Sequence, residues 1–162
     1  MLEMKWLFGN KDDLTDAHAI RRSVFIEEQG ISEEEEYDDT DVSCIHLVIY
    51  EDGIPVSTGR IMVTDDDYVL GRVATLKSHR GRGIATGLMQ SLMGACVVMG
   101  GNRQILHAQT QVQGFYERLG FTPYGEEFEE AGMPHIAMEH FGPAGGGCGS
   151  GGHCGGCQRH EA

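Results

Sequence analysis

Two short stretches carry residue types whose spacing could do chemistry. The first is RGRGIA, residues 80–85, which follows an apolar run and opens a glycine-spaced apolar one. The first turn of a helix leaves backbone N–H groups unpaired and carries partial positive charge. Gly81 and Gly83 would let a phosphate approach those amides closely, and Arg80 and Arg82 add ionic contacts. The stretch reads as a seat for a di- or triphosphate group. The second is Cys148-x5-Cys154-x2-Cys157, with His153 and His160 nearby, which holds ligand types for zinc or another soft metal. A second C-x-x-C is missing and the surroundings are glycine, so no packed shell would support a bound ion. The expectation is that no metal is required.

Two nucleotide motifs fail at the first stretch. A Walker A loop needs G-x-x-x-x-G-K-[ST], and no such string is present. A dinucleotide fold needs G-x-G-x-x-G with an acid about twenty residues on. Here the glycines are Gly81, Gly83 and Gly87, and no Asp or Glu falls between Asp67 and Glu117.

That gap stands out in a chain of net charge −13. Residues 1–70 hold 18 acids and 5 Lys/Arg, whereas residues 71–162 hold 7 of each. Arg72, Lys77, Arg80, Arg82 and Arg103 all lie in the acid-free window. A local cationic field in an acidic protein points to a small anionic ligand. It argues against nucleic acid, which the rest of the surface would repel. The N-terminal residues show no continuous apolar stretch of the kind a secretory signal needs. No run approaches the ~18 apolar residues of a membrane span. The reading is a cytoplasmic protein with no membrane partner.

The elements that must position the phosphate seat follow from periodicity. Residues 13–29 read as a helix stopped by Gly30, and the carboxylate-rich SEEEEYDDTD follows as a solvated loop. Residues 45–50, 56–63 and 68–76 read as three antiparallel strands, with Asp52–Gly53 as the first hairpin. From Gly83 the period changes: Ile84, Leu88, Leu92, Ala95 and Met99 share one helical face. A strand at 104–109, a short helix at 113–120 closed by Gly120, and strands at FTPYG and 135–140 complete an αβββαβαβ order. The fold class is α/β or α+β, a mixed and mostly antiparallel central sheet flanked by helices. Cys44 and Cys96 lie in apolar segments and read as reduced core residues. Residues 142–162, almost devoid of apolar side chains, read as a flexible Gly/Cys/His-rich tail.

The string R-x-x-G-x-A after a strand resembles the acyl-CoA-binding motif of the GNAT superfamily of N-acetyltransferases. FYERLGF, residues 115–121, is similar to that superfamily's second signature. RRSVFIEEQGISEEEEYDDTD (21–41), LHAQTQVQGFYERLGF (106–121) and FEEAGMPHIAM (128–138) resemble the YjcF/ElaA-like subgroup, and the likeness covers nearly all of residues 1–141. The arginine-to-acidic segment also resembles acyl-homoserine-lactone synthases, whose chains are longer.

The resemblance implies a GNAT fold over 1–141 and an enzyme that transfers an acetyl group from acetyl-CoA to a primary amine by direct attack. It implies that Val73, Ala74 and Thr75 on the fourth strand hold the pantetheine arm. The pyrophosphate then meets the amides of Arg80, Gly81, Arg82, Gly83, Ile84 and Ala85. Tyr116 matches the usual general acid, and a strand amide near Ala74 stabilises the oxyanion. The usual strand glutamate is absent: Gly71 and Arg72 stand there. His107, Glu36, Asp38 or water are left as candidate bases. Phe25, Gln29, Gln109 and His135 would surround the acceptor, a small-molecule or peptide amine, and a homodimer is compatible. Two rival readings are a non-catalytic acyl-CoA sensor and a metal-handling protein acting through the Cys/His tail.

Overall fold

The Asp52–Gly53 hairpin forms as expected, and both residues take positive φ (51° and 84°), the two-residue turn that matches strand twist. It joins β2 (Cys44–Glu51) to β3 (Ile54–Val63) in antiparallel register. The structure is a computed structural model, and it describes residues 1–65 and 67–142. The tail cysteines Cys148, Cys154 and Cys157 lie outside the described residues.

Among the described residues, seven strands are hydrogen-bonded in the order β1-β2-β3-β4-β5-β7-β6. These are β1 (Leu2–Phe8), β2, β3, β4 (Tyr68–Thr75), β5 (Arg103–Gln109), β6 (Thr122–Glu130) and β7 (Met133–Phe141). The β4–β5 pair is parallel, and the β1–β2, β2–β3, β5–β7 and β6–β7 pairs are antiparallel. The helices are α1 (Thr15–Arg21), α2 (Glu33–Glu36), α3 (Ile84–Val98) and α4 (Gln113–Arg118). Among the described residues no helix is long and apolar enough to cross a membrane. The chain divides into two units: Met1–Val63 with Leu70–Leu92, and Thr64–Val69 with the residues from Met93 onward.

Three expectations need correction. The residues before Gly9 form a strand, β1, which the sequence reading left unassigned. The helix expected over 13–29 is α-helical only to Arg21. It continues as a π-helix over Arg22–Glu28, where Gln29 N–H reaches back five residues to the Val24 carbonyl at 3.1 Å. The last two strands are longer than read, because the charged residues 126–130 belong to β6 and are mostly exposed there.

In the first unit, Leu7, Ala17, Ile20, Val24, Phe25, Val48 and Ala74 pack as one apolar cluster on the α1 side of the sheet. On the opposite face, a Cβ placed on Gly59 would sit 2.8 Å from Leu92 and 3.3 Å from Leu88, so glycine is what lets α3 press against β3. Cys44 and Cys96 are buried and unbonded, as expected. Burial pushes the Cys96 thiol up to about 12, which leaves it inert near neutral pH.

Candidate active site

β4 is the element on which the candidate site is built. Its parallel ladder with β5 consists of Tyr68 with Gln104 and Val69 with Ile105. Three residues further on, Arg72 adopts φ 51°, a left-handed kink uncommon for a non-glycine side chain. Val73, Ala74 and Thr75 follow the kink, so their backbone lies past the ladder as a strand edge. The Ser57 hydroxyl, which belongs to no motif along the chain, steadies this edge. It donates to the Ala74 carbonyl at 3.1 Å and bonds the Thr75 hydroxyl at 2.8 Å.

After β4 a 3₁₀ turn (Lys77–His79) leads into residues 80–85. Gly81 and Gly83 take φ 75° and 81°, which glycine adopts without strain. A Cβ added at either would meet nothing within 4 Å, so the backbone there faces open space. The first bond inside α3 runs from Gly87 N–H to the Gly83 carbonyl at 3.1 Å. The amides at residues 83–86 therefore have no acceptor within the helix. Open glycines beside free amides, reached directly from a strand edge, fit an elongated ligand that carries a diphosphate.

The charges around this seat differ from the sequence reading. A gap in acids along the chain is not a gap in space. Arg80 forms a two-pronged ion pair with Glu28 at 2.7 Å and also donates to the Thr75 carbonyl at 2.9 Å. Arg82 pairs with Glu51, which also meets His79 at 3.0 Å. Hydrogen bonds from Arg80 hold Glu28 below the ordinary carboxylate range, and those from Arg82 do the same for Glu51. Arg72 and Arg103 are paired as well, Arg103 with Asp67 and Glu139. Arg80 and Arg82, the two arginines of the seat, are thus compensated by an acid of the π-helix and an acid of β2.

A second correction concerns the acidic segment. Glu33, Glu34 and Glu35 are exposed, but Glu36 is buried, as are Asp41 and Arg21. Arg21 contacts the Glu36 carboxylate and donates to Asp41 at 2.9 Å. Arg60 reaches the same Asp41 oxygen at 2.8 Å, and His18 meets the other at 3.0 Å. Arg72 completes the network, 3.2 Å from both Glu36 and Asp38 and bonded to the Glu35 and Glu36 carbonyls. Three guanidinium groups thus face three carboxylates, and the segment anchors the kinked residue of β4. Burial would raise Asp41, but hydrogen bonds from His18, Arg21 and Arg60 outweigh it and hold its carboxyl far below the usual range. For Glu36 burial prevails over Arg21, Arg72 and Arg60, and its pKa is raised. Glu36 and Asp38 are thus each held by arginines.

The other expected residues fall into two places. Phe25 lies in the apolar cluster with Ala74, and Gln29 caps the end of the π-helix. In the second unit, Gln109 of β5 stands directly opposite His135 of β7, and His135 opposite Phe128 of β6. The His135 ring stacks on Phe128 with centroids 6.0 Å apart. His107 shares this face but is exposed, bonded to Glu130 at 3.0 Å and edge-on to Phe128. It is therefore a surface residue. Tyr116 is the buried residue of α4, with Phe115 and Phe121 edge-on at 5.0 and 6.1 Å. Burial pushes its phenol up to about 12, so the proton is retained throughout the neutral range.

Among the described residues no group of three or more His, Cys, Asp or Glu could hold a metal ion. A family model described as "Acetyltransferase (GNAT) domain" matches residues 12–140. The chain belongs to the GNAT acetyltransferase family. The uncharacterised N-acetyltransferase YjcF of Bacillus subtilis is 38% identical over 130 residues, covering 80% of this chain and 93% of that protein. The crystal structure of Escherichia coli ElaA superposes with a TM-score of 0.77 at 27% identity, covering 85% of this chain and 99% of that one. PaiA N-acetyltransferase of Thermoplasma acidophilum, solved with coenzyme A, shares the fold with a TM-score of 0.65 at 16% identity. That comparison covers 88% of this chain and 99% of PaiA. This GNAT protein is an acyltransferase, and the fold it carries is one that binds acyl-CoA.

Proposed function

We propose that the protein transfers an acetyl group from acetyl-CoA to a primary amine of a small molecule or peptide. The observation that carries this reading is the run from Val73–Ala74–Thr75, which lies past the β5 ladder, to the open glycines Gly81 and Gly83 and the first-turn amides of residues 83–86. The edge would take the pantetheine amides as an added strand pairs, and the α3 start would take the pyrophosphate. A backbone N–H near Ala74 then faces the thioester carbonyl and supports the oxyanion.

The acceptor must arrive as a neutral amine. Its nitrogen attacks the thioester carbon, an N–C bond forms, and the C–S bond breaks. Tyr116 donates to the departing sulfur, and the ammonium proton leaves to water. Glu36 and Asp38 are engaged by arginines and His107 by Glu130, which favours water over any of them as the proton's first acceptor. Phe25, Gln29, Gln109 and His135 are the residues that the family resemblance assigns to the acceptor in this reading.

The compensated arginines lead to a prediction. Glu28→Gln frees Arg80 for phosphate and should tighten coenzyme A binding a few-fold, the size an exposed ion pair can supply. Weaker binding in calorimetry would instead mean that Glu28 orients Arg80. The function itself is tested by incubating the protein with acetyl-CoA and a panel of amines while free thiol is measured. Thiol release that depends on one amine, with the acetylated amine found by mass spectrometry, is expected. Tight acetyl-CoA binding with no thiol release for any amine would favour the sensor reading.

A further inference from the structure

The apolar side of β1 is turned outward. Leu2, Met4, Trp6 and Phe8 are 51%, 54%, 38% and 44% exposed, four large apolar side chains in a row on one face of one strand. They continue the face of Leu47 and Ile49, their buried partners on β2, beyond the cover that α3 provides. α3 touches this face at Ser91, whose hydroxyl donates to the Met4 sulfur at 3.4 Å. β1 is also the edge of the sheet. Gly9 N–H bonds to the Cys44 carbonyl across β2, so by alternation the odd residues aim their backbone groups at β2 and the even ones aim outward. Phe8 is capped locally: its N–H donates to Asp12 at 2.7 Å and its carbonyl accepts from Asp12 N–H at 2.8 Å. The open backbone groups are those of Leu2, Met4 and Trp6. Soluble proteins usually blunt such an edge with charge, proline or a covering loop.

We propose that β1 pairs antiparallel with β1 of a second copy about a two-fold axis through Met4. The outward groups require hydrogen-bonded pairs between even residues, and charge chooses among the registers. With Met4 opposite Met4, Leu2 faces Trp6 on the apolar side, and Glu3 faces Lys5 on the other side, twice per dimer. Moving the axis to Lys5 places lysine against lysine and needs the capped Phe8. Moving it to Glu3 places glutamate against glutamate. Glu3 and Lys5 then occupy the non-hydrogen-bonded sites, where facing side chains come closest. The self-complementary surface suits a homodimer, whose contact is necessarily the same patch on both copies.

The test uses the full chain and sedimentation equilibrium across about 1–100 µM. The wild type should dimerise in this range. Glu3→Lys alone and Lys5→Glu alone should each raise the dimer Kd about tenfold or more, since both make two like-charge contacts. The double exchange Glu3→Lys with Lys5→Glu should restore it. Met4→Pro removes the central N–H from an edge position that tolerates proline, and should give a folded monomer. Trp6 is the sole tryptophan, so its emission should shift to the blue along the same isotherm. A wild-type monomer at 100 µM overturns the proposal. So does a dimer whose Kd ignores the charge exchanges.

Discussion

Asp41→Ala should destabilise the protein by about 3–5 kcal/mol, the cost of leaving a buried charge without its partner. Asp41 is the shared acceptor of Arg21 and Arg60, both buried, and of His18. Removing it takes the shared carboxylate from two buried guanidinium groups, leaving Arg21 with Glu36 and Arg60 with Asp38 at 3.4 Å. Asp41→Asn keeps the shape and one acceptor and should cost less. The exposed Arg22–Glu33 pair offers the contrast, since breaking it should change stability little. Urea unfolding at pH 7 measures all three. The pH dependence has a definite sign. Asp41 in the folded protein lies below its unfolded value of about 3.9, so its contribution is present above pH ~4 and fades as pH falls toward the folded pKa. Asp41→Ala should therefore lose less stability between about pH 4 and 2 than the wild type does. A variant as stable as wild type at pH 7 would show that the network is not what holds the 32–43 segment.

Tyr116→Phe should lower kcat about 100-fold, the weak end of general-acid effects, with little change in the KM for acetyl-CoA. The substitution removes one oxygen and keeps the ring between Phe115 and Phe121, so stability should not fall with activity. Because burial holds the phenol at about 12, any loss of rate from its ionisation should come only near that pH. Steady-state kinetics with an accepted amine decides the matter. Unchanged kcat would reduce Tyr116 to packing.

What the sequence disclosed depended on how local each signal is. α3 and the Asp52–Gly53 turn are written in neighbouring residues, through one apolar stripe and one pair of turn formers, and both form where expected. The order of strand, glycines and helix start around residues 73–84 was legible for the same reason, because all three lie within twelve residues. β1 was missed although LEMKWLF alternates in polarity, since only Leu7 of that stretch is buried and the apolar residues face outward. The π-helix leaves no trace in periodicity, because a shift in backbone bonding need not change which side chains are apolar. The charge network joins residues up to 36 positions apart, and one acid among four in EEEE is buried. Composition shows such a run as solvated charge, and only the position of Arg21 on α1 selects Glu36. Likewise, Glu28 and Glu51 reach the arginines of an acid-free window from elsewhere in the chain.

The central claim is that a free strand edge and the open amides before α3 grip the pantetheine and diphosphate of acetyl-CoA. Isothermal titration of acetyl-CoA into the wild type and into Gly83→Val addresses it directly. At Gly83, φ 81° and open surroundings mean that a valine would strain the backbone and fill the space in front of the amides without clashing inside the fold. The account predicts one site per chain in the wild type and at least a tenfold loss in a variant that still unfolds cooperatively. Wild-type protein that takes up no acetyl-CoA at about 1 mM, the top of the ordinary substrate range, would contradict it. So would a Gly83→Val variant that binds acetyl-CoA as tightly as the wild type.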